Sequence, residues 1–433
     1  MKNMILALGL ALGASAAHAD MWKCGNSFQD HRCQAAPQHH KGKKVDDEPY
    51  RHPHAHHHHG APGNSGGNTT PPPPATTPPV KNPPATTPPA TTPPVTTPPA
   101  TTPPATTPPA TTPPPATTPP APTPTPPAAS GTPVEVHGAL AVKGNRIVDK
   151  TGQPVQLRGM SFGWSNWWGQ YWTPGTVDWL IDDWKTEVIR ASMGIEPAGA
   201  YLSNPAAERA KVIAVVDEAV KRGAYVIIDW HEENAPKHIA QARAFFTEMA
   251  TRYGSQPNVI YEIYNEPVNY SWSQIKSYAI DIVAAIRAQD PDNLIIVGTP
   301  NWSSDIESAA ANPLVGTNIA YTFHFYAASH KQASRDQVSR ALAKGIAVFV
   351  TEWGTCEASG TGTLDSNETN TWLQFLDQNK LSWTNWAISD KAGETCSALM
   401  PNSSPTGHWP ASSLSADGKL MRGKLRTYAG VAP

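Results

Sequence analysis

The sequence has little that would direct it to nucleic acid or to a lipid bilayer. Its formal net charge is −2 over 433 residues, so electrostatics give no reason to expect a polyanionic partner. The apolar stretch Met4–Leu12 is too short to cross a bilayer as a helix. Cysteine is scarce, with four residues in the whole chain. We therefore expect neither a nucleic-acid partner nor a membrane span.

The first nineteen residues have the pattern of an export signal. Lys2 precedes the apolar stretch, and the Ala-His-Ala sequence at 17–19 fits the small-x-small pattern of a signal cleavage site. We expect residues 1–19 to be removed, so that Asp20 becomes the mature N-terminus. The protein would then be secreted, either into the periplasm or outside the cell.

The next two segments hold few side chains that could pack into a core. Residues 20–60 are polar and histidine-rich, and Cys24 and Cys33 could close a small loop there. Imidazoles bind Zn, Cu or Ni, but nothing near this tract fixes a coordination geometry, so we expect a solvated tail and no metal site. Residues 61–133 contain 29 of the 46 prolines and repeat Thr-Thr-Pro-Pro-Ala, which predicts a disordered polyproline II spacer.

The remaining residues, 134–433, alternate between strand-like and helix-like patterns. Amphipathic helices are predicted at 206–222, 273–288 and 334–344. Eight apolar runs are predicted to be strands: Val155–Met160, Glu187–Met193, Tyr225–Trp230, Val259–Tyr264, Leu294–Gly298, Ile319–Phe325, Ala347–Thr351 and Ser382–Ile388. Eight β/α alternations in a segment of this length indicate an α/β fold closed as a (β/α)8 TIM barrel.

Two glutamates stand at the ends of two of these runs. Glu266 follows the fourth run and Glu352 follows the seventh, 86 positions later. The C-terminal ends of barrel strands carry the active site in this architecture. Two carboxyl groups that face each other there are the minimum needed to cleave a glycosidic bond. The spacing therefore predicts a glycoside hydrolase.

Further polar and aromatic side chains stand where other predicted strands end. They are Arg190, His231, His324, Tyr326 and Trp386. A single histidine or tryptophan is more often structural than functional. All five, however, fall at the strand ends that carry barrel active sites, which favours a functional role for the set.

The cysteines Cys356 and Cys396 follow the seventh and eighth predicted strands, so their loops should be neighbours in a closed barrel. Export permits disulfides and the number of cysteines is even. We expect a bridge between them that stiffens the rim of the active site. The alternative is a pair of buried free thiols.

The segment Leu140–Tyr428 resembles glycoside hydrolase family 5, the cellulase family of clan A, in its bacterial endoglucanase branch. The motifs that carry the resemblance are Asn-Glu-Pro at 265–267, Thr-Glu-Trp-Gly at 351–354 and His-x-Tyr at 324–326, together with the arginine and histidine named above. The stretches 138–149, 157–161 and 298–303 also match.

The resemblance implies a retaining reaction by double displacement that needs no metal and no cofactor. Glu266 would be the general acid/base and Glu352 the nucleophile, with the two carboxyl groups about 5–5.5 Å apart. The resemblance also implies supporting roles. Asn265 would hydrogen-bond the sugar 2-hydroxyl, and Arg190 and Tyr326 would hold the nucleophile ionised and oriented. His231 and His324 would line the −1 subsite and support the carboxyl groups, and Trp386 would be the sugar platform there.

Aromatic residues in loops predict a cleft for an extended glycan. The chain has 15 tryptophans, and the apolar faces of sugar rings bind aromatic side chains. We expect Trp302 and at least one of Trp167 and Trp172 to be platforms, whereas Trp184 and Trp372 should pack in the outer layer. By similarity to related enzymes, Lys391 and Glu394 would bind sugar hydroxyls beyond the scissile bond.

Other carboxyl groups lie near the predicted site without being candidates for catalysis. Glu262 precedes Glu266 by four residues, which places it on the same face but deeper, where it should pair with an arginine such as Arg190. Glu232 and Glu233 are predicted to be loop residues.

We expect a monomeric, secreted endo-β-1,4-glucanase that acts on cellulose or a related β-glucan. A first alternative is a related polysaccharidase (mannanase, xyloglucanase or mixed-linkage glucanase), since the first loop, 161–167, lacks a histidine that related enzymes often carry. A second alternative is a non-catalytic glycan-binding surface protein. The intact set of eight polar and aromatic positions disfavours this second alternative.

Overall fold

The computed structural model describes residues 22–24, 27–29 and 131–433 of the chain. The first two stretches form an antiparallel pair, β1 (Trp22–Cys24) and β2 (Ser27–Gln29). The predicted signal segment, the histidine-rich tract and the proline-rich spacer lie outside the described residues. The predicted pairing of Cys24 with Cys33 lies outside them as well.

Eight parallel strand positions close into a barrel, as predicted. A short antiparallel hairpin, β3 (Ala141–Lys143) and β4 (Arg146–Val148), precedes it. The barrel strands are β5 (Arg158–Phe162), β6 (Val188–Gly194), β7 (Tyr225–His231), β8 (Val259–Glu262), β9 (Ile295–Val297), β10 (Ile319–Thr322), β11 (Phe325–Tyr326), β12 (Val348–Gly354) and β13 (Trp383–Ile388). The order is β10-β9-β8-β7-β6-β5-β13-β12-β11, and β10 also pairs with β12, which closes the circle. β10 and β11 are two pieces of the sixth barrel strand.

Helices connect the strands and cover the outside of the barrel. They are α1 (Pro133–His137), α2 (Pro174–Trp179), α3 (Pro205–Arg222), α4 (Ile239–Tyr253), α5 (Trp272–Arg287), α6 (Pro300–Ser303), α7 (Ile306–Ala311), α8 (Gln332–Ala343), α9 (Ser366–Asn379) and α10 (Ala416–Tyr428). The three helices predicted from periodicity correspond to α3, α5 and α8. Within the described residues, no helix combines the length and the apolar character needed to cross a bilayer.

The helices form where the sequence provides an apolar stripe and a terminating signal. In α3 the buried residues Val212, Val215, Val216 and Ala219 recur at helical spacing, which places them against the strands. The helix ends at Gly223, which adopts the left-handed conformation (φ 69°) that a side chain would disfavour.

Inside the barrel, apolar side chains change to polar ones at a single level. Buried apolar residues at the lower ends of the strands form one cluster, which includes Val188, Ile227, Ile260 and Phe349. Two positions later, on the same face, the same strands carry Arg190, Asp229, Glu262 and Thr351, respectively. The polar groups of the barrel mouth therefore stand on a packed apolar floor.

The predicted disulfide between Cys356 and Cys396 is present, with the Cα atoms 5.7 Å apart. Both cysteines are fully buried and pack with Tyr326, Trp386 and Ala387. The bridge therefore joins the loops that follow β12 and β13 directly behind residues of the predicted site.

Candidate active site

A buried arginine joins carboxyl groups from three strands at the mouth of the barrel. Nε of Arg190 donates to Oε2 of Glu262 at 2.7 Å, and Nη1 donates to Oε2 of Glu352 at 2.9 Å. Nη2 donates to Oδ1 of Asn265 at 2.6 Å and lies 2.9 Å from Oδ2 of Asp229. Burial alone would lower the pKa of Arg190, but the three carboxylates outweigh it and raise that pKa. The guanidinium stays charged and orients its partners, and the predicted pairing with Glu262 is confirmed.

Glu352 reaches this cluster because β12 is irregular beside it. The pairing of β12 with β13 changes register between Val350 and Trp353. In a regular strand, successive side chains point to opposite faces, whereas a bulge re-aims one of them. Thr351 and Glu352 are consecutive, yet both hydrogen-bond to side chains inside the barrel.

Tyr326 holds the second oxygen of Glu352. Its Oη donates to Oε1 of Glu352 at 2.7 Å. Burial, together with the charge of Glu352, raises the pKa of Tyr326 well above its usual value, so the phenol remains a neutral donor. Since Arg190 donates to Oε2, each carboxylate oxygen of Glu352 accepts a hydrogen bond, and the two bonds fix the orientation of the group.

Glu266 is in a different environment. Burial and the nearby charge of Glu352 raise its pKa, although His324 opposes this effect. Nδ1 of His324 lies 2.9 Å from Oε1 of Glu266. Ligand-type atoms of Glu266, His324 and Glu352 all lie within 4.8 Å of one another. The two carboxyl groups thus face each other across a narrow gap, and Glu266 is the one that tends to retain a proton.

His231 and Trp386 form one wall of the same mouth. Their rings stack with centroids 5.2 Å apart and planes 3° from parallel, and Trp164 packs edge-on against His231 at 4.3 Å. Nδ1 of His231 lies 2.7 Å from Oδ2 of Asp229. Burial lowers the pKa of His231 well below its usual value, and the charge of Arg190 acts in the same direction, so its imidazole is neutral.

A cleft opens above these groups. Aromatic, charged and small residues line it: Trp164, Trp167, Trp168, His231, Glu233, Glu266, Tyr326, Glu352, Ser359, Gly360, Trp386, Lys391 and Glu394. Of the residues predicted to bind substrate, Trp167, Lys391 and Glu394 are therefore placed in the cleft. Lys391 and Glu394 also form an ion pair with each other.

Of the two tryptophans of which at least one was predicted to be a platform, Trp172 does not line the cleft. Its side chain is buried, with 3% exposed, and its ring packs against Phe162 with centroids 5.2 Å apart. Its Nε1 donates to the carbonyl oxygen of Gly163, because the short 3₁₀ turn Gly169–Tyr171 carries the chain back towards the core. Trp302, in contrast, is 42% exposed, but it is not among the cleft-lining residues.

The outer-layer prediction for Trp184 and Trp372 agrees with the structure, since both are fully buried. Several residues at the site were not predicted to belong to it. Asp229 and Thr351 are buried inside apolar runs, and Glu233, which was interpreted as a loop residue, lines the cleft. Asp229 could have been found from its position two residues before His231, on the same face of β7.

A second group of possible metal ligands lies elsewhere in the described residues. Atoms of Glu196, Glu232 and His238 lie within 4.8 Å of one another. His238 already hydrogen-bonds Glu232 through Nδ1, and Asn234 donates to Glu196 at 3.0 Å. Glu232 and Glu196 therefore each have a protein partner within hydrogen-bond distance.

Comparisons with known proteins agree with this geometry. A barrel with two facing carboxyl groups is typical of a glycoside hydrolase, and residues 148–392 match the sequence profile described as Cellulase (glycosyl hydrolase family 5). Endoglucanase N of Pectobacterium atrosepticum is 46% identical over 309 residues, which cover 70% of this chain and 69% of that relative. Endoglucanase Z of Dickeya dadantii is 48% identical over 269 residues, which cover 61% of this chain and 62% of that relative. The chain belongs to glycoside hydrolase family 5.

Solved structures show the same relationship. The catalytic domain of an endoglucanase from Thermobifida fusca superposes with a TM-score of 0.66 at 40% identity, over 68% of this chain and 100% of that domain. A structure from Cytophaga hutchinsonii gives a TM-score of 0.68 at 50% identity, over 69% of this chain and 98% of that chain. A variant of the Thermobifida domain has been solved in complex with cellotetraose. The matches to five curated endoglucanases span 58% to 69% of the relatives' own lengths.

Proposed function

We propose that this chain is a retaining endo-β-1,4-glucanase that hydrolyses cellulose or a related β-glucan, with Glu352 as nucleophile and Glu266 as acid/base. The observation that carries the proposal is the contrast between two facing carboxyl groups. Glu352 accepts hydrogen bonds from Arg190 and Tyr326, whereas burial raises the pKa of Glu266. Such a difference between neighbouring carboxyls supports Glu266 as the acid and Glu352 as the nucleophile.

The separation of the two groups favours retention. One oxygen of Glu266 lies within 4.8 Å of one oxygen of Glu352, so the two carboxyl groups are close neighbours, as a retaining reaction requires. Glu352 attacks the anomeric carbon while Glu266 protonates the departing oxygen, which leaves a glycosyl ester on Glu352. Glu266 then takes a proton from water, and that water attacks the anomeric carbon and releases Glu352.

The surrounding residues support these two steps. Arg190 occupies Oδ1 of Asn265, so the amide nitrogen of Asn265 is left to donate to the 2-hydroxyl of the −1 sugar. Hydrogen bonds to this hydroxyl strengthen in the transition state. We assign Trp386 as the platform of the −1 sugar, with His231 behind its ring.

The cleft suits an extended glucan. The indole rings of Trp164, Trp167 and Trp168 line it, and Lys391 and Glu394 offer charged groups to sugar hydroxyls. Relatives named endoglucanases, and a neighbour solved with cellotetraose, support a β-1,4-glucan as substrate. We also propose that the protein is exported through its N-terminal signal and acts as a monomer, and that exposed Trp302 is an outlying platform.

The test is the release of reducing sugar by the full chain from carboxymethyl cellulose, mannan, xylan and xyloglucan. Cleavage of carboxymethyl cellulose is expected, with the β-anomer appearing first by NMR. Glu266→Gln should lower the rate on this substrate by about 10²- to 10⁴-fold. Glu352→Gln should abolish activity because no ester can form, and both variants should still bind cellotetraose.

The other outcomes are equally informative. Cleavage of mannan or xyloglucan in place of cellulose would keep the site and change the specificity. Inactivity on every substrate, with retained cellotetraose binding, would favour a glycan-binding protein. A first product with inverted configuration would contradict Glu352 as the nucleophile.

A further inference from the structure

Thr351 occupies a central position in the polar level of the barrel without touching the cleft. It is fully buried, and its Oγ1 lies 2.6 Å from Oε1 of Glu262 and 3.0 Å from Nε2 of His324. The third partner of Oγ1 is the hydroxyl of Thr322. Through His324, Thr351 is one residue removed from the carboxyl group of Glu266.

The directions of these hydrogen bonds follow from the number of protons. Burial alone would raise the pKa of Glu262, but Arg190 and His324 outweigh it and lower that pKa, so Glu262 is ionised and can only accept. Thr351 must therefore donate its single hydroxyl proton to Glu262. With that proton used, Oγ1 of Thr351 can only accept from Nε2 of His324, so Nε2 must carry a hydrogen.

Thr322 completes the arrangement. Its Oγ1 lies 3.3 Å from the backbone nitrogen of Thr351, which donates to it. Its own hydroxyl proton is then free to point at Oγ1 of Thr351, which accepts it along with the hydrogen on Nε2 of His324. All the hydrogen-bonding capacity of the Thr351 hydroxyl is used, and the direction at His324 is fixed by its neighbours.

We propose that Thr351 is a positioning residue that holds His324 with Nε2–H directed inward and Nδ1 directed at Glu266. This inference deepens the proposed function, since it rests on Glu266 as the acid/base. After Glu266 has protonated the leaving group, its new carboxylate accepts a hydrogen bond from Nδ1–H of the His324 imidazolium. That hydrogen bond stabilises the carboxylate until it takes a proton from the attacking water.

The charges around His324 are consistent with an imidazolium. Glu262 and Glu266 contact its two sides, Glu352 lies opposite, and Arg190 and His231 are the other titratable groups that face it. Burial alone would lower the pKa of His324, but the neighbouring carboxylates outweigh it and raise that pKa to about 9. Without the Thr351 hydroxyl, Nε2–H of His324 would be buried without an acceptor, which disfavours the imidazolium.

The experiment compares Thr351→Val, which removes the hydroxyl at nearly constant shape, with Thr351→Ser, which keeps it. Each full-length variant is assayed on soluble β-glucan and on 2,4-dinitrophenyl β-cellobioside, whose leaving group needs no proton. For Thr351→Val, kcat/KM on β-glucan should fall about 10- to 100-fold, as for weakened general acid catalysis. On the dinitrophenyl substrate it should fall less than about 3-fold. Thr351→Ser should behave like the wild type on both.

The pH profile gives a second readout. The His324 charge lowers the pKa of Glu266, so loss of that charge in Thr351→Val should raise it. The basic limb of kcat/KM on β-glucan, where Glu266 loses its proton, should therefore move to higher pH in Thr351→Val and stay in place in Thr351→Ser.

Equal losses on both substrates, or no loss on β-glucan, would overturn the role of Thr351. If Thr351→Val shows no cooperative thermal transition, Thr351→Ala removes the hydroxyl without a branched side chain and must meet the same two criteria. A wild-type protein that cleaves neither substrate would overturn the proposed function itself. These outcomes separate failure of the inference from failure of the function beneath it.

Discussion

At the scale of single residues, Arg190 is the side chain that connects the carboxyl groups of the site. Its contacts join β6 to Asp229 of β7, to Glu262 of β8 and to Glu352 of β12. None of these carboxylates has another arginine or lysine within 4 Å in the described part of the chain. The arginine therefore contributes both to the orientation of the nucleophile and to the stability of the barrel interior.

Replacing Arg190 should cost stability as well as activity. Arg190→Met leaves buried carboxylates without their cation, so the free energy of unfolding should fall by about 3–5 kcal/mol in urea denaturation. Arg209→Met is the matched control. Its pair with Glu248 spans 3.3 Å at the surface, and its loss should cost less than about 1 kcal/mol. Similar losses in the two variants would contradict the importance assigned to the buried cluster.

At the scale of elements, the disulfide ties two active-site loops together. It closes a separation of 40 residues and packs with Tyr326 and Trp386. Replacing Cys356 and Cys396 by serine together should lower the free energy of unfolding by about 3–4 kcal/mol, because the unfolded chain regains the loop entropy. KM on β-glucan should rise as the loop that carries Lys391 loosens.

The matched control for the bridge is the other cysteine pair. Cys24 and Cys33 both lie outside residues 131–433. Replacing the two together by serine should therefore leave the melting temperature of the barrel unchanged. Both double variants are compared by calorimetry under non-reducing conditions. A larger loss from the N-terminal pair would show that the stability of the barrel depends on the segment before it.

Element positions were largely predictable, because each barrel strand is an apolar run and each long helix an apolar stripe. Glu266 and Glu352 were predictable for the same reason, since both follow such runs. The sequence could not predict that the consecutive residues Thr351 and Glu352 both point into the barrel. The bulge in β12 causes this arrangement, and no residue type in the sequence indicates a bulge there. Trp172 was misplaced because loop tryptophans have no periodicity that separates a buried ring from an exposed one.

At the scale of the whole molecule, the barrel should be independent of the 130 residues that precede it. Thr132 caps α1 by accepting from the backbone nitrogen of Glu135, and Val134 donates to the carbonyl of Gly223, so α1 is capped and joined to the barrel by hydrogen bonds within residues 131–433. A fragment of residues 131–433 should keep activity on soluble β-glucan within about 2-fold of the full chain, because capping and packing are unchanged.

A shorter fragment is the control for this boundary. A fragment of residues 138–433 lacks α1 and its cap. The midpoint temperature of its thermal unfolding should be lower than that of the 131–433 fragment. Loss of activity in the longer fragment would contradict the division of the chain into tail, spacer and barrel.

The polar level above the apolar floor also sets the electrostatic potential of the cleft. Asp229, Glu262, Glu266 and Glu352 bring four carboxyl groups to the barrel mouth, and Arg190 contacts three of them. A neutral sugar gains little from a nearby carboxylate. The anomeric carbon becomes positively charged only as the glycosidic bond breaks, so a carboxylate beside it favours the transition state over the bound substrate.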